Sequence, residues 1–208
     1  MKKLNKTLHK NSRTLVEESL KKAISYEEYR RLVTNHVEKG TSSGPNQSEA
    51  LSYYTLLNNS RMKRLDKTIK IKNDIAKKFQ NYKGDLTWLV LTESWCGDAA
   101  HSMPVMNKLA QLTPNIEFKV VQRHENVELM NEFLTNGKMA IPKLIVYDNN
   151  KNEVINNWGS KPSKVVEMIE DIKKIQGTLT SEFKMELQVW YNKDKGENIS
   201  EDLSKLLN

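Results

Sequence analysis

The chain has 208 residues, 38% apolar and 28% charged, a make-up that suits a folded globular protein with a sizeable core and excludes wholesale disorder. A single cysteine excludes an internal disulfide, and no apolar run approaches the ~18 residues a membrane-spanning helix needs. The net charge of +7 is concentrated in RMKRLDKTIKIKNDIAKK, residues 61–78, where no aromatics interleave, so a solvated helix face is expected rather than a nucleic-acid site.

The basic start MKKLNKTLHKNSRTL has no apolar segment behind it and is not read as a secretory signal, so the expected location is cytoplasmic, with no membrane partner. Residues 13–39 are rich in helix formers. Leu15, Val16 and Leu20 make one short apolar stripe. Ser25, with Glu28 three residues on, has the form of a capping box for a second helix carrying Tyr29, Leu32, Val33 and Val37. Gly40 ends that helix, TSSGPNQ is a loop on composition, and Ser48 caps a helix expected to reach about Phe79.

Beyond Lys83-Gly84-Asp85 the texture changes. TWLVLT, residues 87–92, reads as a buried strand. A helix follows from about Gly97 to Leu112, then a strand over IEFKVVQ, residues 116–122, and a helix over ENVELMNEFLT, residues 125–135. PKLIVYD and NEVINNW, residues 142–148 and 152–158, form two strands joined by a polar turn, followed by a helix over residues 163–175 and two more in the tail. The fold class is therefore α/β, with a β-α-β-α-β-β-α core over residues 84–177, a helical segment over 1–83 and a helical tail over 178–208. The first two core strands should be parallel and the last two an antiparallel hairpin.

The stretch that carries chemistry is TESWCGDAAHSMP, residues 92–104. Cys96 falls between a strand's end and a helix's first turn, where unpaired amides favour negative charge. A thiol of ordinary pKa is about 3% ionised at neutral pH, and a drop to ~7 would make it half ionised, so faster reaction than free cysteine is expected. Asp98 opposes that shift, and His101 favours it only if protonated. On position alone, a reactive thiol and a small buried hydrophobe are equal readings of Cys96.

The W-C-G turn with a proline eight residues after the cysteine, Pro104, resembles the active-site turn of the thioredoxin family. Met139-Ala140-Ile141-Pro142-Lys143-Leu144 is similar to the segment in which that family places a cis-proline opposite the cysteine, and Trp158-Gly159 to the end of its last strand. The resemblance covers roughly residues 84–177 and implies a thioredoxin-like three-layer core with a mixed sheet. The lead-in GPNQSEALSYYTLLNNSRMKRLDKT resembles that of a bacterial branch with WCGDA-type sites, and is expected to replace the usual first strand and helix. Two parts of the dithiol machine are missing: Ala99 stands at the resolving cysteine and Val90 at the buried carboxylate.

The resemblance implies single-cysteine thiol–disulfide exchange with a protein or small-molecule disulfide or thiol, Cys96 being the nucleophile and an external thiol the resolver. Asp98 and His101 are the expected proton partners; Trp95, Gly97, Ile141 and Pro142 line the substrate groove. Arg61 and Arg64 are either surface cations or anchors for a thiolate or an anionic substrate. The alternative function is a redox-inactive binding module for a peptide or protein. His9, His36, His101 and His124 show no metal-ligand spacing, so neither metal nor other cofactor is expected, and a Cys96–His124–Glu125 hydrolase is a remote reading.

Overall fold

The computed structural model describes residues 12–207; His9 lies outside the described residues. A first helix, α1, covers residues 12–20. A two-residue strand β1 (Ile24–Ser25) leads straight into α2 (Tyr26–Glu38). Ser25 caps α2 reciprocally: its hydroxyl accepts the Glu28 N–H at 3.2 Å, and the Glu28 carboxylate accepts the Ser25 N–H at 2.8 Å. Ser48 caps α3 (Glu49–Thr68) by accepting the Leu51 N–H. The long helix expected to reach Phe79 is broken. Ile69 turns extended and buries its side chain, and a separate α4 (Asn73–Gln80) follows.

The core elements are β2 (Leu86–Thr92), α5 (Gly97–Ala110), β3 (Ile116–Gln122), α6 (Val127–Glu132), β4 (Lys143–Asp148), β5 (Glu153–Gly159) and α7 (Ser163–Gln176). The helix expected over 125–135 is shorter, because a 3-10 turn, Arg123–Glu125, precedes α6. The tail forms α8 (Ser181–Asp194) and α9 (Glu197–Ser204). The sheet order is β1-β3-β2-β4-β5, with β2 and β3 parallel and the other pairs antiparallel. The lead-in thus does not dispense with a first strand. Ile24 and Ser25 pair with Val120 and Lys119 and cover the β3 edge, which would otherwise offer open backbone groups to another chain.

Every residue of β2 and β4 is buried, as expected of central strands covered on both faces. On one face the Phe79 ring of α4 meets Trp88 edge-on, centroids 5.7 Å apart, and α5 lies against β3 with α3, α4 and α9 packed outside it. Tyr147, the neighbour of Trp88's partner Val146, points to the opposite face, where its hydroxyl donates to Glu17 of α1. Ser12 and Ser19 tie α1 to Glu132 and Asn126 beside α6. The result is three layers with the sheet in the middle. No helix among the described residues is long and apolar enough to cross a membrane.

Candidate functional site

The β2/β4 register places the site. Leu91 pairs with Lys143, so the turn that leaves β2 faces the residue that starts β4. Cys96 occupies the N-cap of α5, and its sulfur accepts the Ala99 N–H at 3.4 Å. The thiol donates to the Ile141 carbonyl at 3.3 Å, and the Ile141–Pro142 peptide is cis. Gly159 closes the far side: at φ +130° its α-carbon comes so near Pro142 that an added Cβ would stand 2.2 Å from the Pro142 carbonyl oxygen.

The expectation of an acidic thiol is overturned. Cys96 is 7% exposed, and its pKa is pushed up to about 12, first by burial and then by the Asp98 carboxylate. The Ala99 N–H and Lys161 pull the other way and do not compensate. The resting group is therefore a protonated, sheltered thiol. Slower reaction than that of free cysteine is the expectation for this conformation.

Asp98 forms an ion pair with Lys161 and accepts the Tyr191 hydroxyl at 2.9 Å. His101 does not turn toward the sulfur. It is buried, its ring stacks on Tyr191 at 4.2 Å, and its Nε2 lies 3.0 Å from the Gln188 side-chain nitrogen. Arg61 donates to Asn58 and to Gln188, and its Nη1 lies 3.6 Å from where a Gly97 Cβ would stand. Arg64 bonds Asn192 at an exposed position. Trp95 is half-buried with the Arg123 guanidinium 5.2 Å above its ring, and Arg123 also bonds the Met139 carbonyl. Gly97, Asp98, Ile141 and Pro142 thus gather at Cys96, with Arg61 beside Gly97, whereas His101 faces away and Arg64 stays outside.

Burial, with Arg61 and Arg64 nearby, lowers the His101 pKa to about 4. Between pH 4 and the ordinary value near 6.5 the unfolded chain binds the extra proton, so stability present above pH 6.5 is lost as pH falls through that window. The loss attributable to His101 is roughly 3 kcal/mol. Urea unfolding at pH 7 and pH 4.5 should show a clearly smaller loss in His101→Phe, which keeps a ring on Tyr191 but cannot titrate; equal losses would contradict this.

The sequence pattern does not reveal the group beneath the turn. Glu93, 1% exposed, accepts the Ser43 hydroxyl at 2.5 Å and the His124 N–H at 2.9 Å, with His124 Nδ1 3.0 Å from the same carboxylate. Its carbonyl accepts the Cys96 N–H. Ser43 and Ser94 exchange two further bonds, at 2.8 and 2.9 Å, and Thr55 and Asn58 bond Ser94. The composition of residues 41–47 suggests a plain loop, yet Ser42 and Ser43 are buried and clamp the Cys96 turn to the lead-in. A glutamate ending an apolar strand is the only signal that pointed there. Lys143 also escapes the sequence reading; buried beside Pro142, its amine bonds Asn157 at 3.3 Å, and burial lowers its pKa.

Among the described residues no group of three or more His, Cys, Asp or Glu could hold a metal ion. A family model described as thioredoxin matches residues 44–173, well over half of the chain. No curated protein matches it. Among solved structures, a protein of unknown function from Pseudomonas aeruginosa is 16% identical, with TM-score 0.58 over 73% of this chain and 84% of that one. An HIV epitope-scaffold is 15% identical, with TM-score 0.56 over 88% of this chain and 98% of that one. At these identities the structures speak to the fold alone.

Proposed function

We propose that this chain, which belongs to the thioredoxin family, carries out thiol–disulfide exchange through Cys96 alone. The observation that carries the reading is the sulfur's place. It sits at the N-cap of α5, 3.4 Å from the Ala99 N–H and 3.3 Å from the Ile141 carbonyl that precedes cis Pro142. A partner segment laid along Ile141 would bring its own sulfur to Cys96, and the helix-start amides would bear the charge that develops there.

The Cys96 thiolate attacks one sulfur of a partner disulfide, a mixed disulfide forms, and the second partner sulfur leaves as a thiolate. Ala99 offers no thiol for the next step. An external thiolate therefore attacks the mixed disulfide, restores the Cys96 thiolate and leaves as a new disulfide with the first partner sulfur. Arg61 and Lys161 suit an anionic co-reactant, since both cations flank the first turn of α5. The proton leaving the thiol passes to solvent or to Asp98, and His101, held neutral by burial and turned to Gln188 and Tyr191, is not placed to take it.

A second reading, a redox-inactive groove for a peptide or protein, is favoured by the raised thiol pKa and by Ala99 and Val90 at the positions of the missing groups. Reduction of a protein disulfide by dithiothreitol separates the two. The wild-type chain should be a weak catalyst and Ala99→Cys, which supplies a resolving thiol in the first turn, about tenfold or more better. A folded Ala99→Cys variant with no gain would favour the binding module.

A further inference from the structure

The tail helix α8 reaches the thiol site from outside the core. Three of its contacts fall on the outer face of the first turn of α5. The Tyr191 hydroxyl donates to Asp98 at 2.9 Å, the Tyr191 ring lies on His101 with planes 5° apart, and the Gln188 amide bonds His101. The other end of the Gln188 amide accepts from Arg61, the cation lying against Gly97. Burial beside Asp98 raises the Tyr191 pKa, so its phenol remains a donor at any working pH.

α8 itself is lightly attached. Of its residues only Phe183 and Tyr191 are buried, and Met185 and Val189 lie exposed on it. Left-handed residues stand at both ends: Gly177 at φ +72°, with open space around it, and Lys195-Gly196 at φ +52° and +86°. The chain from Gly196 onward is firmly held. Gly196 packs on Val105, Ile199 and Leu203 are buried, and Asn198 and Asp202 bond Ser163. A helix strung between a glycine with open space around it and a firm anchor, with only Phe183 and Tyr191 buried and Leu187 and Trp190 partly buried against the core, is poised for local opening.

We propose that Tyr191 and Gln188 are positioning residues of the thiol site: acting through Asp98, His101 and Arg61, they hold the outer face of the first turn of α5 closed and so govern reaction at Cys96. This rests on Cys96 being the reacting group of the proposed function. In the closed state the sulfur faces Ile141 with Asp98, Lys161, Tyr191 and Tyr29 as its charged and titratable neighbours. Opening of α8 removes Tyr191 and lets water reach the turn, which relieves the burial that disfavours the thiolate. The same motion frees Arg61 and Asp98 for an incoming partner.

The test is the rate of alkylation of Cys96 by iodoacetamide between pH 7 and 10, on the full chain. It compares wild type, Tyr191→Phe, Gln188→Ala and Tyr191→Ala, with wild type in urea as the open limit. The wild-type rate should lie far below the urea rate. Tyr191→Phe keeps the stacked ring and loses one hydrogen bond, so its rate should rise about fivefold, and Gln188→Ala should behave alike. Tyr191→Ala should rise about thirtyfold and shift the rate–pH curve to lower pH. A merely structural tyrosine would lower the thermal midpoint without moving that curve. If Tyr191→Ala does not fold, the other two variants decide. Folded variants with wild-type rates and profiles overturn the proposal, as does a native wild-type rate equal to that in urea. If the variants alkylate faster yet none forms a mixed disulfide, the exchange reading fails while the positioning role stands.

Discussion

Gly159→Ala should lower the unfolding free energy by about 4 kcal/mol, read as a fall in the urea midpoint at unchanged slope. Two costs add. At φ +130° the residue lies where a side chain is strained by about 1–3 kcal/mol. The new methyl would also stand 2.2 Å from the Pro142 carbonyl oxygen and 3.3 Å from the Lys143 Cα, both backbone atoms that cannot turn aside. Relief therefore requires β4 and β5 to part at the Lys143–Gly159 pair, the end of the hairpin that carries Pro142. The variant should lose partner capture as well as stability, because Ile141 and Pro142 shift together. Gly137→Ala is the control. Its φ of +71° brings strain, but an added Cβ meets nothing within 4 Å, so a loss of only about 1 kcal/mol is expected. Equal losses in the two variants would contradict the close-approach argument.

Glu93→Ala should cost about 4 kcal/mol, against about 1 for Glu93→Gln. The carboxyl group serves the Ser43 hydroxyl and the His124 backbone and ring, and it is nearly sealed from water. Removing it strands those donors in the interior, each at about 1–3 kcal/mol. The amide that Glu93→Gln introduces can accept from His124 while its nitrogen donates to Ser43, so most of the network survives. Because the Glu93 carbonyl holds the Cys96 N–H and Ser43 clamps Ser94, the alanine variant should also loosen the turn, seen as faster amide exchange at Ser94 and Cys96. Similar losses for alanine and glutamine would mean that water, not Glu93, satisfies the cluster.

The core is legible in the sequence because its signals are local. An unbroken apolar run marks β2, turn residues mark the β4–β5 hairpin, and Ser25 with Glu28 announces α2. The break at Ile69 is hidden, since the residues on both sides favour helix and only burial of Ile69 against the core decides. β1 is too short to leave a pattern and exists because the β3 edge is there to pair with. At the site, the Cys96–Ile141–Pro142 juxtaposition comes from a resemblance rather than from periodicity. The sign of the thiol's shift is not legible, because a helix start is visible in sequence, whereas the burial that outweighs it depends on packing around the turn. Glu93, Ser43 and His124 meet from three separated segments, and Tyr191 reaches Asp98 from 93 residues away, beyond what spacing encodes.

The most direct measurement is capture of a mixed disulfide. Native full-length chain is incubated with a small aromatic disulfide at pH 8, and the intact mass is followed before and after addition of a monothiol. A single adduct on Cys96 is predicted, formed slowly, absent in Cys96→Ser and removed by the monothiol. A native chain that takes up no adduct, while the urea-unfolded chain takes up one at once, would contradict exchange at Cys96 and leave a groove that binds without exchanging.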